Sequence, residues 1–162
     1  MTLTLLITLI LFNCGTQNQK EEKENVTDKS ELVKSDSTLR TGWYYIDDKA
    51  GLKRQLDKDT TWYSINPTPI VTAKNIIKME IYESNFGDIG LSMQLDSEGT
   101  DSWSEATDKA TTKRLAFILN DKLLHAPLVN SQITNGMTAL NTGNYSRQEL
   151  KKIKKEIEEG RE

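Results

Sequence analysis

Ile89, Leu91, Met93 and Leu95 alternate one by one with Gly90, Ser92, Gln94 and Asp96, and no other stretch constrains the fold as tightly. A period of two places apolar side chains on one face and polar ones on the other. That is the pattern of a half-buried strand, not of a helix. Just upstream, Ile77, Met79 and Ile81 alternate with Lys78, Glu80 and Tyr82, and Asn85-Phe86-Gly87-Asp88 lies between the two runs. Two such strands joined by a short glycine-bearing loop predict an antiparallel hairpin with one wet face.

The remaining elements build around that hairpin. Gly42-Trp43-Tyr44-Tyr45-Ile46 and Thr60-Thr61-Trp62-Tyr63-Ser64-Ile65 are rich in β-formers and read as strands. Asn66-Pro67-Thr68-Pro69 is expected to stop the second, because proline cannot donate to a central ladder. Residues 72–76 suit a short helical turn. A helix is predicted after Asp96 or Ser97, either of which can cap it, with Trp103, Ala106 and Ala110 forming a stripe toward the sheet. Leu115-Ala116-Phe117-Ile118-Leu119 is continuously apolar, as a strand buried on both faces would be. Asn120-Asp121 closes a turn. Lys122 to Val129 is extended, with Pro127 limiting it to an edge or a bulge, and 132–142 follows, interrupted at Asn135-Gly136. Ser146 and Glu149 form a capping-box signature for a last helix, whose apolar stripe is Leu150, Ile153 and Ile157. The expected class is α+β: a mainly antiparallel sheet with two helices packed on one face.

Residues 1–13 (MTLTLLITLILFN) carry no charged side chain and end at Cys14, the sole cysteine of the 162-residue chain. The run is shorter than the ~20 apolar residues a bilayer span takes, and it fits a signal peptide. Leu11-Phe12-Asn13-Cys14 resembles the lipobox of bacterial lipoproteins, although Asn13 stands where Gly, Ala or Ser is usual. The resemblance implies diacylglycerol on Cys14, removal of the preceding segment, and a cell-envelope location on a membrane, the outer one with a periplasmic or surface face. Residues 14–40 then form the lipidated cysteine and a charge-mixed tether that cannot bury enough surface to fold. As a coil it reaches about 25–30 Å, from roughly 5–6 Å times the square root of its length.

Composition narrows the chemistry. With one histidine, and no thiol beyond Cys14, disulfides and most zinc, Ser-His or Cys-His chemistry fall away. A formal net charge of −3 without a basic face gives no nucleic-acid footprint. No cofactor or metal is expected. Asp47-Asp48 and Asp57-Lys58-Asp59 lack the ligand spacing of a calcium loop and read as turns. His125 has no carboxylate pair or thiol nearby and reads as a surface residue. Ser92, Ser97 and Ser104 lack a nucleophile-elbow context. Lys151, Lys152, Lys154 and Lys155 are interspersed with glutamates, as on a solvated helix face. The best binding candidates are the aromatics Trp43, Tyr45, Trp62 and Tyr63, although alternation sends about half of any such set into the core.

Leu95-Asp96-Ser97-Glu98-Gly99, Trp103, Thr107, Leu115 to Lys122, Ala126-Pro127, Ile133-Thr134-Asn135-Gly136 and Thr142-Gly143-Asn144-Tyr145-Ser146 together resemble the head of the first periplasmic domain of the protein-export membrane protein SecD. Thr68-Pro69-Ile70-Val71-Thr72 looks like the segment leading into it. Asn141 departs from the pattern, which has an apolar residue there. The resemblance implies a head-like domain over 88–159, with 41–87 as strands leading in and without the membrane helices of the motor. It also implies a non-catalytic job, binding a polypeptide or an envelope component; peptides commonly dock by strand addition at a sheet edge, which the Pro127 segment or the Trp62 strand is expected to supply. The alternatives are an envelope lipoprotein that only assembles with a protein partner and, third, a hydrolase.

Overall fold

This computed structural model describes residues 38–161 apart from 50, 86 and 142. The readings on the signal peptide, on Cys14 and on the tether up to 37 lie outside the described residues. Eight strands, a one-turn 3-10 helix and two α-helices make up the described part. They are β1 (Gly42–Ile46), β2 (Leu52–Gln55), β3 (Trp62–Thr72), the turn Ala73–Asn75, β4 (Ile76–Glu83), β5 (Ile89–Leu95), α1 (Ser97–Lys109), β6 (Leu115–Leu119), β7 (Lys122–His125), β8 (Met137–Leu140) and α2 (Arg147–Glu159). The expected class holds, with the strands divided between two sheets, β2-β3-β1-β6-β7 and β4-β5-β8, and every paired strand antiparallel.

The five-stranded sheet curls until its two margins meet. Leu56 forms a parallel bridge to Leu123, and the Asp57 N–H donates to the Leu123 carbonyl at 2.8 Å. The inner face of this roll holds Tyr44, Ile65, Ala116, Ile118 and Leu123, flanked by Ile46, Leu52, Leu56 and Tyr63. So few strands leave room only for side chains. Leu39 plugs the interior, with 3% of its surface exposed. Its N–H donates to Asp121 Oδ1 at 2.8 Å, and the Asp121 N–H returns a bond to the Leu39 carbonyl at 2.9 Å. Asp121 also ion-pairs with Arg54. Leu39 and Arg40 therefore belong to the folded part: one apolar side chain with a buried slot is enough to order the backbone around it.

The prolines do not stop β3. Its residues 62–65 pair with β2 on one side, and beyond Ile65 that side carries no strand among the described residues, so Pro67 and Pro69 occupy an edge stretch. On the other side the ladder with β1 is irregular, with register shifts between Trp43 and Tyr44 and between Tyr44 and Ile46. An edge and a bulge are where a strand tolerates proline.

The predicted hairpin is β4–β5, from Ile76 opposite Leu95 to Glu83 opposite Ile89. One phase differs: a register shift falls between Ile76 and Lys78, which leaves Ile77 61% exposed and buries Ile76 instead. A bulge inserts one residue and flips the alternation on one side of it.

Both helices pack against the outer side of the roll and against the smaller sheet, α1 on β3 and β5 and α2 on β4, β5 and β6. Asp96 caps α1 by accepting the Gly99 N–H at 2.7 Å, and Ser146 with Glu149 caps α2 reciprocally. The main core joins Trp43, Leu115, Phe117 and Leu119 of the roll to Met79, Leu91, Met93 and Leu95 of the hairpin and to Trp103, Leu150, Ile153 and Ile157 of the helices. Because β1 lies between β3 and β6, and β4 pairs with β5, residues 41–87 are part of both sheets rather than a lead-in to a domain starting at 88. The ladder that joins them, Gly42 opposite Ile118, spans a sequence distance that local patterning does not register.

Candidate functional site

The aromatic candidates do not form one surface. Trp43 and Tyr44 point to opposite faces of β1, as neighbours on a strand must. Trp43 is 1% exposed and packs in the main core, away from open solvent. Tyr44 lies inside the roll, where its hydroxyl donates to the Arg40 carbonyl at 2.8 Å and burial pushes its pKa up to about 12. Tyr45 is half-buried against the main core, and Tyr63 is half-buried against the roll interior. Only Trp62 stands out, at 61% exposed. At Trp62 the strand pairs with Gln55 of β2 on one side, and the β1 ladder on the other side reaches only as far as Ile65.

Trp43 nonetheless reaches a cavity. A cleft of about 310 Å³ runs between the chain from His125 to Ile133 and the strand β8, with Trp43, Trp103 and Leu115 as its floor. The Asn120-Asp121 turn starts the first bank: both residues adopt positive φ (47° and 70°), which folds β7 back along β6 and carries His125 to a place opposite Phe117. Beyond β7 the Pro127 segment is not a strand. It is strapped down by isolated bonds, from the Leu115 N–H to the Pro127 carbonyl at 3.2 Å and from the Val129 N–H to the Lys113 carbonyl at 2.8 Å. The Ile133 N–H donates to the Thr107 hydroxyl at 2.9 Å, which anchors the far end on α1. The second bank is β8, the edge of the smaller sheet.

The floor is aromatic. The Trp43 ring centroid lies 5.0 Å from that of Trp103 and 5.2 Å from that of Phe117. Trp103 Nε1 donates to the Met137 carbonyl at 3.3 Å, whereas the buried Trp43 Nε1 has no hydrogen-bond partner among the described residues. His125 is half-buried rather than a surface residue, its ring edge-on to Trp43 at 6.3 Å. His125 Nε2 and Asn141 Oδ1 share a hydrogen bond of 3.1 Å across one end of the cleft. Burial, with a smaller push from Arg114, lowers the His125 pKa to about 4, so the ring is neutral at pH 7. Asn141, the position that departs from the SecD-like pattern, is thus the partner of the sole histidine. That departure and the candidate aromatic Trp43 are the two sequence features that fall on this cleft.

A second cavity, about 380 Å³, is lined by charged pairs that already neutralise one another. Asp57 accepts from Lys122 Nζ and from the Tyr145 hydroxyl, each at 2.9 Å. Burial raises the Asp57 pKa, and those two bonds outweigh it, leaving the carboxyl below its usual range. Lys58 pairs with Glu149 at 2.7 Å, and this bond, together with the Ser146 cap, holds the Glu149 carboxyl down at about 2. Asp47 and Asp59 bond the backbone two residues on, as turn residues do. Lys154 and Lys155 pair along α2 with Glu158 and Glu159. Among the described residues no helix is long and apolar enough to cross a membrane.

Comparison with known proteins agrees with this architecture. The chain is 25% identical over 92 residues to the protein translocase subunit SecD of Aquifex aeolicus, covering 57% of this chain and 18% of that one. It is 23% identical over 130 residues to the SecD of Calditerrivibrio nitroreducens, covering 76% and 25%. The chain therefore spans only about a fifth to a quarter of the length of these relatives. A crystal structure of SecDF in a super-membrane-facing form superposes with a TM-score of 0.59 at 18% identity, over 72% of this chain and 18% of that one. A structure of the membrane component SecDF that enhances protein export gives the same score and identity, over 74% and 62%. The family model for the SecDF P1 head subdomain matches residues 49–161, well over half of the sequence, and the chain belongs to that family.

Proposed function

We propose that this protein is a non-catalytic, extracytoplasmic polypeptide-binding module, held at a membrane by lipid on Cys14. Membership of the P1 head family ties it to protein export, where one relative is a membrane component that enhances export. The observation that carries the binding role is the cleft itself: an apolar floor of Trp43 and Trp103 beside the exposed edge of a sheet. Such an edge supplies backbone groups that any extended chain can satisfy, while a pocket supplies the apolar contact. Lipid attachment is supported by the uncharged residues 1–13 ending at the sole cysteine. Two or three acyl chains make such an anchor durable, where one gives only marginal binding.

The test of binding uses the full chain and a reduced, alkylated protein that cannot refold. Saturable binding to the unfolded protein, and none to its native form, is the expected result; equal indifference to both overturns the reading. Fatty-acid labelling in cells checks the anchor, since a Cys14→Ser variant should lose the label and undiminished labelling excludes that thiol.

A further inference from the structure

The cleft has a chemistry specific enough to name its occupant. In an antiparallel strand the N–H and C=O of one residue point to the same side, and consecutive residues point to opposite sides. The Met137 carbonyl accepts from Trp103 Nε1, away from β5, while the Gly136 carbonyl accepts the Leu95 N–H toward it. The Ala139 N–H and C=O, two residues beyond Met137, therefore face the cleft, and Ala139 is one of its lining residues. Trp43 lines the same cleft, and its buried indole N–H has no acceptor among the described residues. An unpaired buried donor costs about 1–3 kcal/mol, so a ligand that brings an oxygen to it gains what the empty cleft lacks. The volume, about 310 Å³, lies at the small end of ligand pockets (roughly 300–1,000 Å³). It suits one aliphatic side chain and a short length of backbone. The lining holds no carboxylate. Arg114 bridges the lining residue Leu128, its charge acts on His125, and its Nη1 donates to the Ala126 carbonyl at 2.6 Å.

We infer that the cleft takes an extended polypeptide as a fourth strand of the smaller sheet, paired to Ala139 of β8. One aliphatic side chain lies on Trp43 and Trp103, an acceptor oxygen takes the Trp43 indole N–H, and the flanking residues are neutral or acidic rather than basic. This rests on the polypeptide-binding reading and adds the register, the anchor and the charge to it. The His125–Asn141 bond closes one end of the cleft, so the added strand ends there.

The experiment uses the full chain and a short fluorescent peptide that alternates threonine with leucine, flanked either by glutamates or by lysines. Two variants separate the causes. Ala139→Pro removes the edge N–H without touching the β5 ladder, and Trp43→Phe removes the indole N–H while keeping an aromatic floor. Each is expected to weaken binding of the glutamate-flanked peptide about fivefold or more, and the lysine-flanked peptide should bind more weakly to wild type. Denaturation midpoints check that both variants fold; should Ala139→Pro not fold, Trp43→Phe alone decides. Unchanged affinity in the folded variants overturns the cleft assignment while leaving polypeptide binding to another surface. Tighter binding of the lysine-flanked peptide overturns the charge assignment. No binding of either peptide, with unfolded protein also ignored, brings down the polypeptide-binding reading itself.

Discussion

The roll and the smaller sheet treat their strand margins in opposite ways. The roll brings β2 against β7 through the Leu56–Leu123 bridge and seals its interior with Leu39. The smaller sheet ends at β8 and turns that edge toward an aromatic cleft. An unpaired edge invites pairing with other chains, and proteins normally blunt or cover it. Here one sheet hides its margins, and the other leaves the edge of β8 as one bank of a cleft. The difference separates a region closed on itself from one that leaves a strand edge unpaired among the described residues.

The comparison breaks most directly by emptying the roll. Ile65→Ala removes a fully buried side chain and should cost about 2–5 kcal/mol, read from urea denaturation. A loss under 1 kcal/mol would mean that the roll is not the stabilising half. Gly136→Ala comes next, at the start of β8. Gly136 has φ +67°, and a Cβ there would sit 2.1 Å from Thr100 Oγ1. A cost of about 1–3 kcal/mol is expected, and Thr100→Ala in the same chain should recover the steric share while leaving the strain.

Acid separates the cleft histidine from the cap of α2 by pH window. The fold lowers the His125 pKa from 6.5 to about 4, so the unfolded chain takes the proton first and stability falls as pH drops across that interval. His125→Gln should flatten this limb. The Glu149 carboxyl is lowered from 4.5 to about 2, so its contribution is present above pH 4.5 and is lost as pH falls toward 2. Glu149→Gln should flatten the lower limb alone. Equal slopes in wild type and both variants, measured by thermal melts across pH, would remove the distinction. The smallest effect belongs to Trp62→Ala, which should change stability by less than about 0.5 kcal/mol, because an exposed side chain away from special features contributes little. If it also leaves peptide affinity unchanged, the binding surface lies with the cleft.

Local chemistry made much of the fold legible. The β4–β5 hairpin, the caps at Asp96 and Ser146, the buried run Leu115–Leu119 and the Asn120-Asp121 turn all follow from neighbours within a few residues. What stayed hidden depends on partners far along the chain. Pro67 and Pro69 read as a stop because nothing local shows that β2 ends opposite Ile65. Ile77 read as inward because a bulge is invisible to alternation. Leu39 read as tether because its slot is made by residues about eighty positions later. Trp43 was legible as an aromatic on a strand, but its place in the floor of a cleft needed Trp103 and His125, which reach it only through the sheet and helix packing.

The Leu39 latch also fixes how the domain would bear tension. A pull on the chain ahead of Leu39 meets the paired Leu39–Asp121 bonds first, and Asp121 hands the load through Arg54 to β2. Force thus runs into the collar of the roll and passes by β8. A load entering at Leu39 would be borne by the collar, and the edge of β8 would keep its shape.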